Sequence, residues 1–158
     1  MQADCSHCRR ATASLATAYL IVPTEFLVWS EGSEAHLKTY LSSGGDVERK
    51  FCGDCGTPLT FYNHSRAAKH ADCIDVTIAS LADEDLARLE ELGIAPTQTH
   101  CWWGSGVEWY KRECLRDVKG NGVTAVWRNG SSTVENMVDL DAELEKAKAA
   151  ATFAAKKE

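Results

Sequence analysis

Cys5-Ser6-His7-Cys8 and Cys52-Gly53-Asp54-Cys55 each hold two thiols three residues apart, and Arg9-Arg10 and Gly56-Thr57-Pro58 follow them. That spacing lets two thiolates point into one tetrahedral metal site. Gly56 permits the tight backbone turn that a zinc knuckle needs. Two such pairs predict zinc bound through Cys5, Cys8, Cys52 and Cys55, although the interval between the pairs exceeds that of a compact zinc ribbon. Spacing alone would join them in one four-cysteine site.

Around these pairs the chain reads as short strands and turns. Ala18 to Trp29 carries β-branched and aromatic residues interrupted by Pro23, which predicts two short strands around a turn. His36 to Leu41 and Val47 to Phe51 flank Ser42-Ser43-Gly44-Gly45, a hairpin-sized arrangement. Pro58 to Tyr62 and Cys73 to Ala79 read as further strands, with the basic segment Asn63 to Ala71 as the loop between them. Asp83-Glu84-Asp85, the leucines 86, 89 and 92, and Gly93 predict one short peripheral helix. Asn121-Gly122 suggests a hairpin with Val123 to Trp127 as one arm. From Asp139 onward Ala, Glu, Leu and Lys dominate, which predicts a solvent-facing helical tail with a mobile end.

Composition sets the outer limits. The 158 residues are 44% hydrophobic and 25% charged, enough for one core. A net charge of -6 and a pI near 5.4 offer no broad attraction to phosphate backbones, so nucleic acid is excluded as an expected partner. No stretch approaches the roughly 20 apolar residues that span a bilayer, and the opening residues hold no apolar leader. Seven cysteines without such a leader read as reduced thiols, so the expected compartment is the cytoplasm and no membrane partner is expected.

The ordered series Cys5-Ser6-His7-Cys8-Arg9-Arg10-Ala11-Thr12, Phe51-Cys52-Gly53-Asp54-Cys55-Gly56-Thr57-Pro58-Leu59, Ile74-Asp75-Val76-Thr77 with Ser80-Leu81, and His100-x-Trp102 resembles the glutathione-dependent formaldehyde-activating enzyme family. That family also includes centromere protein V. The resemblance implies a mainly β fold, a β-tent of small antiparallel sheets pinned by zinc, with a short peripheral helix and a C-terminal helical tail. The expected division is a zinc domain over residues 1–112, a hairpin extension over 113–138 and a helical or mobile tail over 139–158. The resemblance assigns Cys5 and Cys8 to a catalytic zinc and Cys52 and Cys55 to a structural one. It places a third catalytic cysteine where Ala3 stands, and the Cys-x-Cys that completes the structural site ahead of Met1.

A zinc ion needs more than two thiolates, so further ligands would have to be recruited, with His7, Asp4, His100, Cys73 and Cys101 as chemically able candidates. With zinc in place, the implied reaction is a carbon-sulfur lyase step on a glutathione-type thiol adduct resembling S-hydroxymethylglutathione. Arg9 and Arg10 would pair with substrate carboxylates, and Asp75 and His100 would complete the substrate contacts. Each has a plainer reading: Arg9 and Arg10 as solvated surface, Asp75 as an outward strand carboxylate, His100 as a packed core histidine. The alternative function is a non-catalytic, zinc-supported or metal-free β module, a truncated or degenerate member of the family that binds a partner. A homodimer covering an exposed sheet edge is a further expectation.

Overall fold

The structure, a computed structural model, describes residues 1–94, 99–116, 123, 125–130 and 134–155. In chain order the elements are β1 (Gln2–Ala3), α1 (Ser6–Thr12), β2 (Thr17–Pro23), β3 (Leu37–Ser42), β4 (Val47–Cys52), β5 (Pro58–Asn63), α2 (His64–Lys69) and β6 (Cys73–Thr77). They continue as α3 (Asp83–Glu91), β7 (Thr99–Cys101), α4 (Glu108–Arg116), β8 (Ala125–Val126) and α5 (Leu140–Ala155), with short 3-10 turns between several of them. The expectation of a mainly β fold is therefore corrected to a mixed α and β one. Two compact units divide the chain, one of Met1–Thr17 with Leu89–Glu158 and one of Ala18–Arg88.

In the unit of Ala18–Arg88, antiparallel strands run in the order β3-β4-β5-β6-β2. The β3–β4 hairpin pairs Ser42 with Val47 and Leu37 with Cys52, and its loop needs left-handed backbone at Gly44 (φ 70°) and Gly45 (φ 94°), which glycine adopts without a Cβ clash. Alternation along β4 buries Val47 and Arg49 on one face, whereas β6 is buried on both, with Asp75 and Thr77 on one face and Ile74 on the other. The buried face is polar as well as apolar. Phe61 packs 5.9 Å from the Tyr19 ring, and the guanidiniums of Arg49 and Arg66 lie 4.8 Å and 5.9 Å from its centroid.

Arg66 reaches that face because the expected loop Asn63 to Ala71 contains α2. The Asn63 side chain accepts a hydrogen bond from the Arg66 backbone N–H at 2.7 Å, an N-cap that starts a helix in an otherwise polar segment. This capping residue was the local signal for a helix there.

In the other unit the strands are parallel: Gln2 and Ala3 of β1 pair with His100 and Cys101 of β7, and Thr99 and His100 pair with Ala125 and Val126 of β8. Parallel pairing over so long a chain separation leaves no hairpin signature in the sequence. The Asn121-Gly122 turn lies outside the described residues; β8 pairs in parallel with β7, and just beyond it Trp127 forms an antiparallel bridge with Met137. Trp103, Leu115, Val123 and Val126 form the buried cluster, with Val138, Leu140, Leu144 and Ala147 packed on it. The expected solvent-facing tail is corrected too: α5 lays one face on this cluster, and its Glu143 accepts a hydrogen bond from Trp103 Nε1 at 3.1 Å.

Candidate functional site

The Cys5/Cys8 segment follows directly from β1. Asp4, at the strand's carboxyl end, is fully buried and held twice by β7: its backbone N–H donates to the Cys101 carbonyl at 2.9 Å, and its Oδ2 accepts from His100 Nδ1 at 3.0 Å. His100 is itself 2% exposed and meets the Trp103 ring edge-on at 5.4 Å between centroids. Gly106 packs tightly against Asp4, because a Cβ there would stand 3.2 Å from Asp4 Cβ and 3.3 Å from Lys111 Cδ. Asp4 Oδ1 is buried with no hydrogen-bond partner among the described residues. Burial raises the pKa values of Tyr110 and Cys114; Cys114 adds to the rise at Tyr110, and the nearby Asp4 contributes a smaller push to both.

Cys5 then caps a helix rather than turning a knuckle. Its backbone is extended (φ -58°, ψ 134°), its carbonyl accepts from the Arg9 N–H at 2.9 Å, and α1 runs from Ser6 to Thr12. Ala13 ends the helix in the left-handed conformation, with Arg9 and Arg10 in the last turn. Cys5 is half-buried and Cys8 buried. The Cys5 thiol is pulled down to about 5, chiefly by a hydrogen bond from the Cys8 thiol and further by the backbone N–H groups of Cys8 and His7 and the charge of His7, against the opposing effect of burial.

Cys52 and Cys55 belong to the other unit, on the β4–β5 connection. The Cys52 N–H donates to the Thr57 carbonyl at 2.9 Å and the Gly56 N–H to the Cys52 carbonyl at 2.8 Å, with Gly56 at φ 79°. This is the tight turn that the sequence predicts. Cys55 Sγ lies 3.0 Å from Thr57 Oγ1, and that contact leads the causes that lower its pKa. Beside it, His36 Nδ1 pairs with Asp54 Oδ2 on the surface.

Neither pair fits a zinc ion. At Cys5/Cys8, buried Ala3 presents a methyl group where the resemblance puts a third thiolate, and the recruit candidate Asp4 gives its Oδ2 to His100. At Cys52/Cys55, His36 and Asp54 engage each other. Among the described residues no group of three or more His, Cys, Asp or Glu side chains is disposed to hold a metal ion, whereas zinc sites use three or four protein ligands. The expected zinc cofactor, the zinc-pinned β-tent and the zinc-dependent carbon-sulfur lyase are therefore corrected, as is the merging of the two pairs into one four-thiolate site.

The remaining candidates sit differently from one another. Arg10 is exposed and Arg9 half-buried, with Arg9 Nε buried and without a hydrogen-bond partner among the described residues. Asp75 is 2% exposed, and both its oxygens accept from Arg66, at 2.9 Å and 3.0 Å, while Arg66 also donates to the Cys73 carbonyl at 2.9 Å. Burial raises the Asp75 pKa against the pull of Arg66. Sequence reading missed Arg66 because its segment lacks apolar periodicity.

The molecule is thus a two-unit mixed α and β protein with a cysteine pair opening a short helix beside a buried Asp-His pair. The family of glutathione-dependent formaldehyde-activating enzymes matches residues 1–105, and the chain belongs to that family. No curated protein matches it. Among solved structures, the crystal structure of a Rhodobacter sphaeroides protein is similar at 23% identity over 54% of this chain and 72% of that one, with a TM-score of 0.40. No helix among the described residues is long and apolar enough to cross a membrane.

Proposed function

We propose that this chain is a metal-independent member of its family that binds a glutathione-type thiol compound. One observation carries the reading: Cys5 and Cys8 are joined by no third donor among the described residues. The family description supplies the ligand class. Arg9 and Arg10, on the last turn of the helix that Cys5 opens, are the groups proposed to receive the ligand's carboxylates, since a guanidinium fork matches a carboxylate in bidentate fashion. Asp75 and His100 are given no ligand contact in this reading, because Arg66 and Asp4 already engage them in buried pairs.

The test combines zinc analysis of the purified full chain with titration by S-methylglutathione, which carries the carboxylates but no free thiol. The expected result is far less than one zinc per chain and saturable binding, weakened about tenfold or more when Arg9→Ala and Arg10→Ala are combined, which is the scale of losing one or two charge-assisted hydrogen bonds. One zinc per chain lost on Cys5→Ser, or no binding of the ligand, overturns the proposal.

A further inference from the structure

The antiparallel sheet of the Ala18–Arg88 unit ends at β3. Among the described residues this strand pairs with β4 alone, in unbroken register from Leu37 with Cys52 to Ser42 with Val47, so its outer edge presents backbone N–H and C=O groups with no strand beside them. Lys38, Thr39, Tyr40 and Leu41 are all exposed, Tyr40 by 59% and Leu41 by 56%. Strand edges that face water are ordinarily blunted by brevity, by proline, by a bulge or by several charges. The six residues of β3 hold no proline and Lys38 as their one charge, and the register shift in this sheet lies between β4 and β5, at Lys50/Phe51. The edge is built to be paired.

The side chains along β3 say what pairs with it. Opposed residues of an antiparallel pair point to the same face, so two copies of β3 related by a twofold axis through the sheet match odd positions with odd and even with even. An axis at Lys38 opposes two ammonium groups. An axis at Tyr40 sets Thr39 against the partner's Leu41 and leaves Leu37 beyond the end of the strand. An axis at Thr39 sets Leu37 against the partner's Leu41, Lys38 against the partner's Tyr40 and Thr39 against the partner's Thr39, which joins apolar to apolar and places each ammonium group beside a ring. We infer that β3 is a self-recognition edge: two copies of this chain associate through antiparallel β3–β3 pairing centred on Thr39, which joins their sheets edge to edge. A second copy is the occupant because the same strand supplies both halves of every pair with no like charges opposed. The inference rests on the strand edge and its side-chain order, independently of the ligand reading above.

Sedimentation equilibrium of the full chain tests the association, and cross-linking tests the register. The expected result is a monomer–dimer equilibrium in which dimer grows between about 1 μM and about 100 μM, the range of a small interface. It stops at the dimer, because a twofold contact closes on itself. Thr39→Glu separates association from folding: within one copy Thr39 lies opposite Lys50, whose Nζ donates to Thr39 Oγ1 at 3.5 Å, so a carboxylate there suits the hairpin, whereas across the axis it meets a second carboxylate. Dimerisation should weaken about tenfold with Tm unchanged or raised, and mixing Thr39→Glu with Thr39→Lys should restore it. Oxidation of Thr39→Cys should link position 39 of one copy to position 39 of the other, mapped by peptide mass spectrometry, and Tyr40→Cys should not cross-link in this way. The cross-link decides the register even where Thr39→Glu fails to fold. A chain that stays monomeric throughout, its β3 edge covered by another protein or by residues outside those described, overturns the inference. So does a dimer that a folded Thr39→Glu leaves intact, a series of larger species, or a disulfide formed through Tyr40→Cys in place of Thr39→Cys.

Discussion

Cys5 is the residue whose chemistry is furthest from its ordinary state. With its pKa pulled down to about 5 by the Cys8 thiol and neighbouring N–H groups, it is a thiolate at neutral pH. The folded value lies below the unfolded one of 9.0, so the stabilisation it contributes is fully present above pH 9.0 and is lost as pH falls through about 5. The expected iodoacetamide labelling rate of Cys5 rises through about pH 5 and is flat from pH 7 to 9, whereas an ordinary thiol of pKa about 8.5 keeps accelerating over that interval. A Cys5 rate that climbs about tenfold between pH 7 and pH 8 would show the thiol to be ordinary. At the same scale, Gly106 leaves Asp4 and Lys111 the room that a Cβ would take.

Among the elements, α2 illustrates how a six-residue helix can organise a sheet. Isolated, so short a helix would not persist; here the Asn63 cap starts it and Arg66 ties it to β6 through two bonds to Asp75 and one to the Cys73 carbonyl. Replacing Arg66 by Ala leaves a buried carboxylate uncompensated, and urea denaturation at pH 7 should show a loss of about 3 kcal/mol, the scale of breaking a buried pair from one side. The pH dependence has a definite sign. The Asp75 pKa is raised in the fold, so its contribution favours folding below the unfolded value of 3.8 and is lost as pH rises through the folded value. Without Arg66 the folded value rises further, so the deficit of Arg66→Ala should shrink toward pH 4; a deficit that grows there contradicts this account. Legibility at this scale was uneven. The β3–β4 hairpin and α3 lie where glycine turns, strand alternation, acidic capping and leucine spacing place them, because those signals act between near neighbours. Cys5–Cys8 opens α1, since a Cys-x-x-Cys spacing is equally compatible with a knuckle and with the first turn of a helix.

For the whole molecule, the absence of any three-ligand group among the described residues means that stability comes from the buried cluster around Trp103, the polar face around Phe61 and the strand ladders. Thermal unfolding with and without an excess of zinc chelator should therefore give the same Tm; a marked drop on chelation would reveal metal bound as a folding element. By itself the sequence determined the family, through the order of its cysteine, aspartate and histidine motifs, and it determined the local hairpins and α3 through turn residues and periodicity. Only the tertiary structure decided that β1 pairs in parallel with β7, that Asp4 spends its carboxylate on His100, that Arg66 rather than a ligand holds Asp75, and that α5 packs on the Trp103 cluster. The physical reason is range. Turns, caps and periodicity are settled by residues a few positions apart, whereas parallel pairing and buried charge partners join residues far apart in the chain, and those partners settle which donors remain for a metal and which thiols are left to each other.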